Sequence, residues 1–229
     1  MKRILLVLFL CSNCWAGVIA QWKLNDNALS TTVVDSVGPH NGTFKDATGD
    51  PNTSAHDSTG KINGALTFDG IDDYVEVGDC SATGNVDSVA MWVKQTSALS
   101  DPLVIIRVST SDFIYIQSET LVSNCHASDV HYIDGILSST VTAGSWHFIV
   151  VVIPAGGVSP TGVRIVNTTY DLFFSGLIDN VIFFNKELTA LEVRRLYNGG
   201  AGTEYVGRTN LRTRYTSGYG FNYRNRYKF

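Results

Sequence analysis

A chain of 229 residues with 44% hydrophobic and 17% charged residues has apolar material for about one packed domain, and too much for a disordered polymer. Its formal net charge of −4 argues against specific nucleic acid as the partner of the body. Neither the composition nor any stretch longer than the opening apolar run suggests a membrane span.

The chain opens with Lys2 and Arg3, an apolar run from Ile4 to Leu10, and then Ala16 and Ala20. A basic start, a short apolar core and small residues at a cleavage point predict a secretory signal peptide over residues 1–20, with cleavage after Ala16 or Ala20. The expected location is therefore extracellular or periplasmic. Four cysteines are present; Cys11 and Cys14 fall in the signal segment, which leaves Cys80 and Cys125. In an oxidising compartment these two are expected to form a disulfide, closing a loop that stabilises the fold by about 3–4 kcal/mol in the chain-entropy model.

Trp22 and Leu24 alternate with Gln21 and Lys23 as in a half-buried strand. Asp35-Ser36-Val37-Gly38 and Asn41-Gly42-Thr43 are turn-formers, and residues 46–59 form a polar loop. In the segment from Gly60 to Asp79, Ala65–Phe68 and Tyr74–Val77 read as two strands joined by the turn Asp69-Gly70-Ile71-Asp72. Further strands are expected at Ser88–Lys94, Leu103–Val108, Phe113–Ile116 and Val130–Leu137, the last broken by Asp134-Gly135. The run His147–Ile153 is apolar enough to be covered on both faces. Pro154–Gly162 reads as a loop, and Leu172–Phe184 as the closing strand. Thr189 and Glu192 predict a helix that starts with a capping box; its apolar stripe is Val193, Leu196 and Tyr197, and Gly199 ends it.

The segment GKINGALTFDGIDDYVEVGD resembles the signature of LamG-like jelly-roll domains, the laminin G and pentraxin branch of the concanavalin A-like sandwiches. The W-x-L opening at Trp22 and the loop Asp35-Ser36-Val37-Gly38 to Asn41-Gly42-Thr43 are similar to that family too. So are the strand ending in Trp92-Val93-Lys94, the Gly-x-Trp-His strand at Trp146, and the closing Gly-Leu-Ile-Asp-Asn-Val strand with its helix. The resemblance covers roughly Gln21 to Asn198. It implies an all-β, two-sheet antiparallel sandwich with one short C-terminal helix, and a core position for Trp92 in place of a sugar platform. It also implies a structural Ca²⁺ where the chain's start meets its end, with Asp179 as the recurrent ligand. Asp26, Asp35 and carbonyl oxygens near Gly64 are the further candidates for a hard-cation cage. The family's hairpin after the Trp146 strand is replaced here by the Pro154–Gly162 loop, which bears on one edge of the concave sheet.

Residues 199–229 form a basic, Gly/Tyr/Arg-rich tail almost without aliphatic residues. Tyr219, Phe221, Tyr223, Tyr227 and Phe229 fall on alternate positions, so the tail could present an aromatic face to another molecule. Asn41, Asn52 and Asn167 each begin an N-x-S/T sequon, a glycosylation acceptor in a eukaryotic secretory route. The segment Cys125–His131 has metal-ligating types without the spacing of any standard zinc site, and reads as a polar loop.

The catalytic signatures looked for are missing. The string E-x-D-x-x-E, G-x-S-x-G and H-E-x-x-H do not occur, and Glu76 stands alone in its strand. The sequence therefore predicts a secreted non-catalytic recognition module, binding a glycan or a cell-surface protein through loops at one end of the sandwich. The alternative is a structural subunit of an extracellular or particle-surface assembly that self-associates through the tail.

Overall fold

The computed structural model describes residues 17–26, 30–45, 56–57, 59–98, 101–154, 156–166 and 173–204. The tail beyond Glu204, most of the signal segment, and the sequons at Asn52 and Asn167 lie outside these residues.

The described residues form two antiparallel sheets and one short helix. The first sheet contains β1 (Val18–Trp22), β4 (His56–Asp57), β5 (Ala65–Asp69), β7 (Ser88–Gln95), β11 (Val130–Ile133), β12 (Ile136–Leu137), β13 (His147–Val152) and β15 (Ser175–Phe184). Its order is β12-β11-β13-β7-β15-β5-β4, with β1 pairing the distal half of β15. The second sheet contains β2 (Thr32–Val33), β3 (Gly42–Lys45), β6 (Tyr74–Asp79), β8 (Leu103–Arg107), β9 (Phe113–Gln117), β10 (Thr120–Ser123) and β14 (Thr161–Ile165), in the order β10-β9-β8-β14-β6-β3-β2.

Alternation along the strands sets the layers. Phe44, Val75, Ile106, Ile114, Leu121 and Ile165 point inward from the second sheet and meet Leu66, Phe68, Val93, Ile149, Ile178 and Phe183 from the first. The opposite face of the first sheet carries Trp92, Phe148, Val150, Ile182 and Phe184, and helix α1 (Ala190–Tyr197) covers it with Val193 and Leu196. The first sheet is thus buried on both sides, as the apolar runs of β13 and β15 require. Trp92 is a core residue: it is 1% exposed and its ring lies 5.1 Å from Phe148 and 5.8 Å from Tyr197. Thr189 caps α1 as expected. The Glu192 N–H donates to Thr189 Oγ1 at 3.3 Å, and the Thr189 N–H donates to Glu192 Oε2 at 3.0 Å.

Three expectations need correction. The opening strand is not half-buried: Gln21 is as enclosed as Trp22, because its amide donates to Asn180 Oδ1 at 2.5 Å and its backbone N–H donates to Asp35 Oδ1 at 3.0 Å. Part of the Pro154–Gly162 loop is strand, since β14 begins at Thr161 and takes the centre of the second sheet. The expected Cys80–Cys125 bond is absent; both are free thiols. Cys80 follows β6 and Cys125 follows β10, with β14, β8 and β9 between those strands. Four interstrand spacings come to roughly 19 Å, against a limit of about 7 Å between the Cα atoms of a disulfide.

Burial, and then nearby carboxylates, push both thiols up to about 12. They should therefore stay protonated and inert at pH 8. Alkylation of the folded protein at that pH is expected to leave Cys80 unlabelled and Cys125 nearly so, with both labelled after unfolding. Rapid native labelling of Cys80 would contradict its buried position.

The strand β1 also separates the two cleavage points. Val18 pairs with Phe184 and Ala20 with Phe183, and Ala20 is 1% exposed. Cleavage after Ala20 would remove three of the five residues of β1, whereas cleavage after Ala16 leaves the strand whole. Where the expected signal peptide is removed, the intact mass is expected to correspond to a chain starting at Gly17; a start at Gln21 would show that the Val18–Ala20 pairing is dispensable.

Candidate functional site

With α1 lying on the first sheet, the outward face of the second sheet has no covering element among the described residues. Residues directly opposite each other on paired strands share a face. The register runs Thr32 to Thr43, Thr43 to Glu76, Glu76 to Arg164, Arg164 to Arg107, and Arg107 to Phe113. These six side chains form one row across β2, β3, β6, β14, β8 and β9. Five interstrand spacings make it roughly 24 Å long. Flanking it, Lys45 pairs with Tyr74, and Tyr115 pairs with Val104 and Val122. All of these are outward because their strand neighbours Phe44, Val75, Ile165, Ile106, Ile114 and Ile116 fill the core.

The row has fixed electrostatics. Glu76 accepts from Arg164 through two contacts, Nε to Oε1 at 3.1 Å and Nη2 to Oε2 at 2.9 Å, the fork geometry that locks both side chains. The Arg164 guanidinium lies 5.1 Å from the centre of the Tyr74 ring, a cation–π contact that holds the ring flat under it. Arg107 donates from Nε to the Gly162 carbonyl at 2.8 Å. Gly162 adopts φ of +131°, a conformation that suits glycine and turns this carbonyl toward Arg107. Burial, and then the adjacent Arg164 charge, hold the Arg107 guanidinium below its ordinary pKa. Between residues 17 and 198 the sequence has nine Lys and Arg against 20 Asp and Glu, and three of those nine cations, Lys45, Arg107 and Arg164, stand on this face. A cationic, aromatic surface on a strongly acidic body is a selective feature, not an average one.

Two clusters elsewhere have catalytic residue types. Ser123 Oγ bonds Asp129 Oδ2 and lies 3.1 Å from His131 Nε2, beside a shallow open groove lined also by Leu137 and Ser138. Here serine bridges the other two, so its proton is directed to Asp129 and His131 is not placed between acid and nucleophile as acyl transfer requires. The second cluster has the relay order: Asp134 Oδ2 lies 2.8 Å from His147 Nδ1, and His147 Nε2 lies 2.8 Å from Thr142 Oγ1. It lacks a local oxyanion hole, because the N–H groups of Val141, Ala143 and Gly144 donate to Glu119 O, Glu119 Oε1 and Gln95 O. Asp134 also accepts from the Phe148 N–H at 2.9 Å, which ties the β11–β12 turn to β13.

The four positions expected to hold calcium do not assemble as a set. Asp35 is saturated by its own chain: Oδ1 accepts from the N–H groups of Gln21 and Val37 at 3.0 Å each, and Oδ2 from that of His40 at 3.3 Å. Asp26 Oδ2 accepts from the Val34 N–H at 3.0 Å. Gly64 closes its loop against Gly60, where a Cβ would meet the Gly64 carbonyl at 2.1 Å. Asp179 is different. It is fully enclosed opposite Trp92; Oδ2 accepts from the Ile62 N–H at 2.6 Å, and Oδ1 has no partner. Burial first, and the charge of Glu204 among lesser causes, push its carboxyl up to about 7. Glu204, bonded to Lys23, Asn25 and Asn63, is thus the acid that bears on Asp179, in place of Asp26 or Asp35. Among the described residues, the acids that do cluster are Asp69, Asp72 and Asp73 at the β5–β6 turn, where Asp69 and Asp73 bond backbone N–H groups of that turn. Asn41 is exposed, and its Oδ1 accepts from the Asp35 N–H at 2.9 Å.

Neither a family model nor a curated protein matches this sequence. Solved structures match in fold. Domain 4 of AbnA, an extracellular GH43 arabinanase from Geobacillus stearothermophilus determined with arabinotriose, superposes with a TM-score of 0.55 at 18% identity, over 78% of this chain and 97% of that domain. Trypanosoma rangeli sialidase, determined as the covalent intermediate with 2,3-difluorosialic acid, gives 0.55 at 11% identity over 82% of this chain. This chain spans only 34% of the sialidase. At these identities the likeness is one of fold, a two-sheet β-sandwich.

Asp179 gives a signed prediction. With its folded pKa near 7 and an unfolded value of 3.8, the native state holds a proton that the unfolded state releases. Stability is then lost as pH rises from about 4 to 7, by on the order of 4 kcal/mol. In EDTA, Asp179→Asn is expected to melt higher than wild type at pH 8 and about equally at pH 4. A calcium ion at Asp179 and Glu204 would reverse the sign: millimolar calcium would raise the wild-type melting temperature at pH 8 and leave the variant unmoved. Identical pH profiles for the two proteins in EDTA would show that Asp179 is not protonated in the fold.

Proposed function

We propose that this chain is a secreted, non-catalytic glycan-recognition module whose binding surface is the outward face of the second sheet. The observation that carries the reading is the row from Thr32 to Phe113 with its two flanking tyrosines. Hydroxyl, carboxylate and guanidinium groups follow one another along the row on rigid strands, with the Phe113 ring at its end and the Tyr115 ring beside it, which suits a saccharide with polar rims and apolar ring faces. The fold shared with an arabinanase domain determined with arabinotriose supports a saccharide over a protein partner. This reading places the site on a sheet face and not at the loop ends expected from sequence; the strand that completes the face, β14, begins within the Pro154–Gly162 segment expected to be loop.

The test is a glycan array probed with the full chain, followed by titration of the best oligosaccharide. Tyr115 is half-buried and outward, so Tyr115→Ala is expected to weaken binding by about tenfold or more, as for an aromatic anchor. Its melting temperature should stay within a few degrees of wild type, because Tyr115 makes no core contact. Unchanged affinity in Tyr115→Ala, with binding lost instead on changes at the sandwich ends, would remove the sheet face from the account.

A further inference from the structure

Arg107 and Arg164 stand directly opposite each other on β8 and β14, an arrangement of like charges that costs stability unless something offsets it. One carboxylate is present on this row, and it is fully engaged: both oxygens of Glu76 face Arg164. Arg107 is bonded only through Nε, to the Gly162 carbonyl. Its two terminal nitrogens make no recorded hydrogen bond or ion pair among the described residues. The guanidinium is nevertheless half-buried and oriented, with Phe113 opposite it on β9 and Tyr115 next on that face. A fixed, partly desolvated guanidinium whose terminal Nη1/Nη2 edge has no partner among the described residues suits an oxyanion taken end-on, such as a planar carboxylate.

We infer that Arg107 is the anchor for the carboxylate of an acidic saccharide, a hexuronate-containing glycan laid along this row. The inference rests on the reading of the second sheet as the recognition face and adds the ligand class. The ligand's carboxylate supplies the charge that Glu76 gives to Arg164, so each arginine of the opposed pair has its own acid when the sugar is bound. Phe113 and Tyr115, both on β9 beside Arg107, take the ring faces of sugar residues next to the carboxylate. Arabinotriose has no carboxylate, so this chain would differ in specificity from the arabinanase domain it resembles in fold.

The experiment titrates the full chain, by calorimetry, with galacturonate, glucuronate and mannuronate trisaccharides, with their methyl esters, and with arabinotriose. Esterification removes the charge and keeps the sugar. Wild type is expected to bind at least one uronate trisaccharide about tenfold or more tighter than its ester. Arg107→Gln should abolish that difference, and Arg107→Lys should restore part of it. The basic tail is identical in all three proteins, so the contrast reports Arg107. Equal affinity for acid and ester, or a preference that survives in a folded Arg107→Gln, overturns the role of Arg107 while leaving a neutral-glycan module standing. Absence of binding to every saccharide in the panel and on the array overturns both.

Discussion

Strand β15 is the constraint on which the other elements depend. It pairs with β7 along nearly its full length, with β5 at its start and with β1 at its end. Its residues alternate between the two cores: Ile178, Val181 and Phe183 enter the space between the sheets, and Ile182 and Phe184 enter the space under α1. Asn180, at φ of +53°, marks the irregularity that keeps this alternation in step between Asp179 and Ile182. Its side chain bonds Gln21 and the Thr203 carbonyl, tying the opening strand and the segment after α1 to the same point. Because α1 follows β15 directly and must cover the apolar face that β15 helps to build, the helix is committed to the first sheet. Among the described residues, the second sheet's outer surface has no such cover.

That asymmetry links the fold to the proposed function. A sheet face exposed to water has to be polar or be occupied, and the second sheet uses a mixture of hydroxyls, charges and rings. The Glu76–Arg164 fork and the Tyr74 ring beneath it are partly shielded and mutually ordered, so the surface is organised before any ligand arrives. Arg107 is held through Nε by the Gly162 carbonyl and, among the described residues, has no ion pair. A surface preformed in this way can select a ligand by charge as well as shape, which a ring of mobile loops does less well.

Much of the fold could be read in the sequence, because the strands that build the core announce themselves by period and by unbroken apolar runs. Ser88–Gln95, His147–Val152 and Ser175–Phe184 are cases of this, and the Thr189–Glu192 capping box marks the helix start. The candidate surface was harder to see. Strand β14 is short, begins beside Pro160 and contains Gly162, so its local signals are those of a loop. Without β14, the strands of Glu76 and Arg107 are not joined to each other, and Glu76, lacking Arg164, looks isolated. Alternation was the usable signal: Phe113-Ile114-Tyr115-Ile116-Gln117 and Gly162-Val163-Arg164-Ile165 each put one aromatic or charged set on the face away from the core. What the sequence does not contain is the pairing of strands far apart in the chain. The same limit explains the cysteines, which elimination pairs and topology separates.

The central claim is that saccharide lies on the outward face of the second sheet. Amide chemical-shift mapping on addition of the saccharide bound most tightly by the full chain tests this most directly. The account predicts that the largest changes fall on Glu76, Arg107, Phe113, Tyr115 and Arg164, with little change in β7, β13 and α1. Changes concentrated in the loops at one end of the sandwich, such as residues 124–129 or 138–146, with the sheet residues unmoved, would contradict it.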